Sequence, residues 1–308
     1  MQMLEYIIEN KEWLFSGAGV AVITLIISFA LKRKVHALPK NSKQPYLQNE
    51  KFLERKNDIS PELTEVEKVA KRFRTVLELM NEGRQHYSKF TIPQLAQIMK
   101  LHKISELENV FNGKIEPSFS FIEDFSKTFG VNKTWLIEGK ESPYSNQLPF
   151  QREPMDYLSI INESDPEGIY FIRENSDTAP AFIVLKVSKW KYLILNQTWH
   201  ISDQVGAGGQ KQLFSFYSLI KELRDKRNMH TSCWGITLNK DEFNSLLCGQ
   251  SFPGKYIDLG FTEDPWWDDL TDINHKYPIA ENYEEWHGKS FIRAQEIIKW
   301  YLSERTAS

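Results

Sequence analysis

Apolar and polar positions divide this chain into four stretches. The first, 13–31 (WLFSGAGVAVITLIISFAL), is nineteen residues without a charge, set between Glu12 and the triplet Lys32-Arg33-Lys34. At 1.5 Å rise per residue such a run covers the roughly 30 Å hydrocarbon core of a bilayer, so the pattern predicts one transmembrane helix. The basic triplet on its carboxyl side leaves the bulk of the chain in the cytoplasm and a short amino-terminal tail outside. A cleaved secretory signal would put the positive charge ahead of the apolar run instead. Ser16, Gly17, Gly19 and Ala21 form a small-residue patch through which two such helices could associate. Residues 35–59 lack apolar periodicity and carry Pro39 and Pro45 among Lys, Asn and Gln, the composition of a flexible tether.

From residue 60 the period becomes helical. Ser60, Pro61 and Glu62 read as a helix start, and Val66, Val69, Phe73, Val76, Leu77 and Met80 recur at three- and four-residue spacing. Residues 91–101 and 105–112 predict two short helices joined by a tight turn, with Thr91 and Ser105 as N-caps and Gly113 as the stop. A further helix is expected over 118–129. Beyond residue 148 short β-branched and aromatic runs at 168–173, 181–187, 191–195 and 198–201 predict an antiparallel meander. Residues 210–226 then read as an amphipathic helix, 233–238 as a strand, 240–248 as a short helix and 290–302 as a closing helix.

The fold class implied is multi-domain: an N-terminal transmembrane helix within 1–34, a linker over 35–59, an all-α domain over 60–147 and a C-terminal α+β domain over 148–308. Composition changes this picture little. A net charge of -3 favours neither a nucleic-acid coat nor an acidic tail. Cys233 and Cys248 are too few for a disulfide framework or a four-cysteine zinc site. Aromatics make up 13% and concentrate after residue 150, which points to a large packed core or an aromatic-lined pocket there.

The stretch IPQLAQIMKL…ISELENVFNGKIEPSFSFIEDFSKTFGVNKTWLIEGKESPY resembles the helix-turn-helix domains of the Cro and lambda-repressor superfamily, the XRE type, over residues 60–144. The resemblance implies a bacterial protein and a second helix that enters the DNA major groove. It therefore points to Lys103, Ser105, Glu106, Asn109, Asn112 and Lys114 as contacts to DNA or to another partner. The charge of the domain argues against DNA: residues 60–144 hold twelve acidic and twelve basic side chains, and Glu106 and Glu108 occupy the early part of the reading helix. Phosphate neutralisation normally requires a basic face, although glutamate can accept a hydrogen bond from cytosine N4.

Two further places carry candidate chemistry. Gly206, Gly208 and Gly209, followed by Lys211, precede a helix and could hold an anion or small ligand on backbone N–H groups; a plain tight turn is the alternative. In PWWDDLTDINH, Asp268, Asp272 and His275 share one face if the segment is helical, the pattern of a carboxylate-rich divalent metal site, with helix-dipole acids and core tryptophans as the alternative. No nucleophile motif occurs, and no cofactor is indicated. The expected function is that of a membrane-anchored cytoplasmic signalling or effector protein of the bacterial inner membrane. Its layout is similar to that of phage-defence proteins with one short-tailed anchor ahead of a soluble sensor, and its partners would be the bilayer, a protein or a small ligand. A membrane-tethered DNA-binding regulator and a metal-dependent enzyme are the alternatives.

Overall fold

Thr64 starts the first helix by a reciprocal cap. Its side chain accepts from the Glu67 N–H, and the Glu67 carboxylate accepts from the Thr64 N–H at 2.8 Å. In this computed structural model the described residues are 63–145, 148–226, 232–259, 262–276 and 280–307, all within one compact unit, Ser60–Ser308. The expected cap at Ser60 lies outside them. Helix α1 (Glu65–Asn81) buries Ala70, Phe73, Val76 and Met80. Helices α2 (Ile92–Ile98), α3 (Ile104–Phe111), α4 (Phe119–Phe129) and α5 (Lys133–Glu138) complete the first layer. The tight-turned pair α2–α3 is present, but α3 begins at Ile104, not after Ser105.

A short helix α6 (Leu158–Ser164) leads into strands β1 (Gly168–Glu174), β2 (Pro180–Ser188) and β3 (Lys191–His200), which form the antiparallel meander. The two runs expected at 191–195 and 198–201 are one strand. Helix α7 (Ala207–Lys226) then crosses over to β4 (Ser232–Leu238), which lies parallel to β1, so the sheet order is β3-β2-β1-β4. Helices α8 (Lys240–Leu247), α9 (Gly254–Ile257), α10 (Trp266–Asp269), α11 (Ala280–His287) and α12 (Lys289–Ala307) follow.

Side chains alternate across a strand. Here both faces are buried: Ile169, Phe171, Ile183, Leu185 and Leu195 join the core beneath α7, α10 and α12. Tyr170, Ile172, Phe182, Val184, Ile194 and Ile236 join the core that contains Phe73, Leu107, Phe125 and Phe129 of the first layer, together with Phe243 of α8. This corrects the expected fold class. The all-α segment is the cover of a mixed sheet rather than a separate domain, because strands apolar on both faces need helices on both. The transmembrane element of that class is corrected too: among the described residues no helix is long and apolar enough to cross a membrane, and the run 13–31 lies outside them.

Candidate functional site

The exposed face of α3 carries the residues expected to contact a partner. Ser105, Glu106, Glu108, Asn112 and Lys114 are exposed, Lys103 is exposed ahead of the helix, and Asn109 is half-buried. Leu107, Val110 and Phe111 face inward and hold the helix on the core. Glu106 has a local task. Its carboxylate accepts the Lys103 backbone N–H at 3.0 Å and so occupies the positive amino end of α3. A phosphate approaching that end would meet a carboxylate already in place. Around the same helix Ile104, Ile115 and Phe119 are exposed by 50%, 50% and 71%, a set of apolar side chains left uncovered.

The glycine turn gains little support as an anion site. Helix α7 starts at Ala207, so Gly208 and Gly209 belong to its first turn, and the Gly206 carbonyl accepts from Gln210 N–H at 3.0 Å. Lys211 is exposed. The adjoining cavity of about 560 Å³ is lined by Asp203, Gln210, Arg293, Glu296, Ile297 and Trp300. Asp203 and Arg293 pair at 3.0 Å, which holds the Asp203 carboxyl below its ordinary range. An anion entering this space meets two carboxylates and one guanidinium that is already engaged.

The PWWDDLTDINH segment forms a site, though not the one expected. Only Trp266–Asp269 is helical; Thr271 Oγ1 then donates to the Asp268 carbonyl at 2.8 Å, and His275 takes a left-handed φ of 50°. Asp268, Asp272 and His275 therefore do not share a face. Each has its own partner: Asp268 accepts from Arg224 at 2.6 Å, Asp272 from the Tyr283 hydroxyl at 2.8 Å, and His275 Nε2 meets Gln295 Oε1 at 2.9 Å. Among the described residues no group of three or more His, Cys, Asp or Glu side chains is placed to hold a metal ion, which corrects the metal reading.

What the segment does build is a polar cavity of about 510 Å³. Its walls include Tyr217, Lys221 and Arg224 from α7 and Asp268, Asp269 and Asp272 opposite, with Tyr283 from α11. Asp269 is anchored from behind: His287 Nε2 lies 2.8 Å from its Oδ2, with the imidazole only 3% exposed, and Gln295 donates to its carbonyl at 2.8 Å. Burial, then the Asp272 hydrogen bond, then the charges of Asp269, Asp272 and Asp268 push the Tyr283 phenol far above its usual range, so its proton stays on and donates to Asp272.

Two polar centres lie outside the sequence reading. Asp258 accepts from Arg84 at 3.0 Å, Lys186 at 2.7 Å and the Tyr192 hydroxyl at 2.9 Å, tying the end of the first layer to β2 and β3. Arg173, 5% exposed at the end of β1, lies over Trp266 at 5.6 Å, and its Nε and Nη1 have no hydrogen-bond partner among the described residues. Burial pulls its guanidinium below the ordinary value, opposed by the charges of Asp264 and Asp269. No sequence signal marks Asp258, whereas a lone arginine in the apolar run GIYFIR was there to be noticed. The chain matches no family model, no curated protein and no solved structure.

Proposed function

We propose that this chain is a signalling protein that binds through two opposite layers: the α1–α5 layer contacts a protein partner through the exposed face of α3, and the cavity beside α7 receives a small ligand. The observation that carries the partner half is the Glu106 carboxylate seated on the amino end of α3, at 3.0 Å from the Lys103 N–H. That end is where a groove-reading helix would meet a phosphate, and here an internal anion takes the position. Equal numbers of acids and bases over 60–144 deprive the layer of the basic field that duplex binding needs. Uncovered Ile104, Ile115 and Phe119 supply the apolar anchors of a protein contact.

The resemblance to XRE-type helix-turn-helix domains fits this use, since one helical scaffold serves several binding tasks. The sheet between the layers gives them a common support, because β1 and β2 contribute to both cores. The test is fluorescence anisotropy of the full chain with random-sequence duplex DNA over a salt series. The expected result is no binding that follows counterion release. A log–log salt slope of several phosphates, lost on Lys103→Ala with Lys114→Ala, would establish the DNA-binding regulator instead.

A further inference from the structure

We infer that the partner of the α1–α5 layer is a second copy of this chain, joined about a two-fold axis so that Phe119 of each copy enters a cavity of the other. The inference rests on the reading of this layer as a protein contact and names its occupant. Both halves of such a joint are present in one layer. Phe119, the first residue of α4, is 71% exposed, whereas Ile122, Phe125 and Phe129 of the same helix are buried. Its backbone is fixed, because the Ser118 hydroxyl accepts the Phe121 N–H at 3.1 Å and caps the helix around it. An aromatic ring carried on a fixed backbone gives up little freedom when a partner covers it.

The receiving half is a cavity of about 480 Å³ between α1, the start of α2 and the end of α3, with more room than a benzyl ring needs. Leu77, Ile92 and Phe111 supply its apolar lining. Two of its polar side chains are engaged within the chain: Arg74 donates to the Phe111 carbonyl, and Asn81 to the Phe90 carbonyl at 2.9 Å. The attraction it offers is therefore chiefly apolar. In a two-fold contact each copy supplies both the ring and the recess, so the contact is made twice and closes at two chains. The charges fit that arrangement. Glu78 and Lys89 line the cavity, Lys114 and Glu116 precede Phe119, and all four are exposed and form no ion pair among the described residues. Each half thus brings one acid and one base, and two copies can set unlike charges against each other without net repulsion.

The experiment replaces Phe119 of the full chain with photoreactive benzoylphenylalanine, mixes it with unmodified chain labelled with heavy nitrogen, irradiates, and maps the cross-links by mass spectrometry. The label separates links between copies from links within one. Links from position 119 to the lining of the cavity on the labelled copy are expected. Sedimentation equilibrium of the full chain is expected to show a monomer–dimer equilibrium that Phe119→Ser weakens by about tenfold or more and Phe119→Leu weakens less. Links confined to one copy, links to another part of the second copy, sedimentation as a monomer, or association unchanged by Phe119→Ser would overturn the inference. The duplex titration reports on the parent reading separately. A monomer without salt-dependent duplex binding sinks only the second copy as the occupant, whereas duplex binding with a slope of several phosphates sinks the protein contact itself.

Discussion

Asp258 shows how much one side chain can organise. Its carboxylate, 16% exposed, serves Arg84 at 10% exposure, Lys186 at 19% and the Tyr192 hydroxyl, and burial followed by the Asp258 charge pushes that phenol far above its usual range. Asp258→Ala would leave two half-enclosed cations and a phenol without their acceptor. We expect a loss of about 2–4 kcal/mol in denaturant unfolding, with the slope of the transition unchanged. Asp258→Asn, which keeps the shape and one acceptor, should recover part of the loss. Glu123 is the contrasting case, on the surface. Hydrogen bonds from Lys133 and Lys127 hold its carboxyl down at about 2, below the model-peptide value of 4.5. A depressed carboxyl favours the folded chain above the unfolded value, so this contribution is present at neutral pH and is lost as pH falls from about 4.5 toward 2. Acid titration of wild type against Glu123→Gln, followed by circular dichroism, should show the two stability curves converge through that window. Curves that stay parallel would assign the pairing no role.

At the scale of elements, most of the helices and strands follow from period and caps alone. Thr64 with Glu67 and Thr91 with Gln94 form reciprocal caps, and Thr64→Ala should cost about 1 kcal/mol, read as a lower thermal midpoint with unchanged helix content at low temperature. The meander was legible because β-branched and aromatic runs were separated by turn residues, and β4 because it follows a helix as a crossover requires. Three elements were not legible, each for a local reason. Glu106 caps α3 from inside the helix, which moved the start to Ile104 and concealed a capping role behind a residue that looked like a base contact. Strand β3 continues through Asn196 and Gln197, polar residues that a period-based reading takes as a break. The 265–275 segment turns after one helical turn because the Thr271 hydroxyl and the left-handed His275 favour a coil, so the spacing of Asp268, Asp272 and His275 carried no common face. The cavity those residues line was visible only as an aromatic and acidic cluster, since its opposite wall comes from α7, more than forty residues earlier in the chain.

For the whole molecule, the question is whether the helical layer and the rest can come apart. Several contacts argue that they cannot. Tyr144, which follows α5, packs on Phe252 at 5.5 Å, where Tyr192 of β3 also packs, and the Tyr144 N–H donates to the Gly249 carbonyl at 2.9 Å. Gly249 has a φ of 69°, and a Cβ there would lie 2.2 Å from the Ser145 nitrogen, so the close approach of the chain after α5 to the chain after α8 depends on the absence of a side chain. Gly249→Ala should therefore cost about 2 kcal/mol or more through strain and displaced backbone. The informative measurement is native-state hydrogen exchange at buried amides of the two layers, Phe125 and Phe129 on α4 against Phe216 and Leu219 on α7. If 60–308 unfolds as one cooperative unit, the slowest amides of both layers report the same opening free energy, and Gly249→Ala lowers both by the same amount. A drop confined to α4 would mean that the helical layer opens on its own, and a ligand bound beside α7 would then have no firm path through the sheet to the α3 face. Equal drops would mean that stabilising the cavity side stabilises the partner-binding side by the same free energy, which is the thermodynamic form that a relay between the two layers takes.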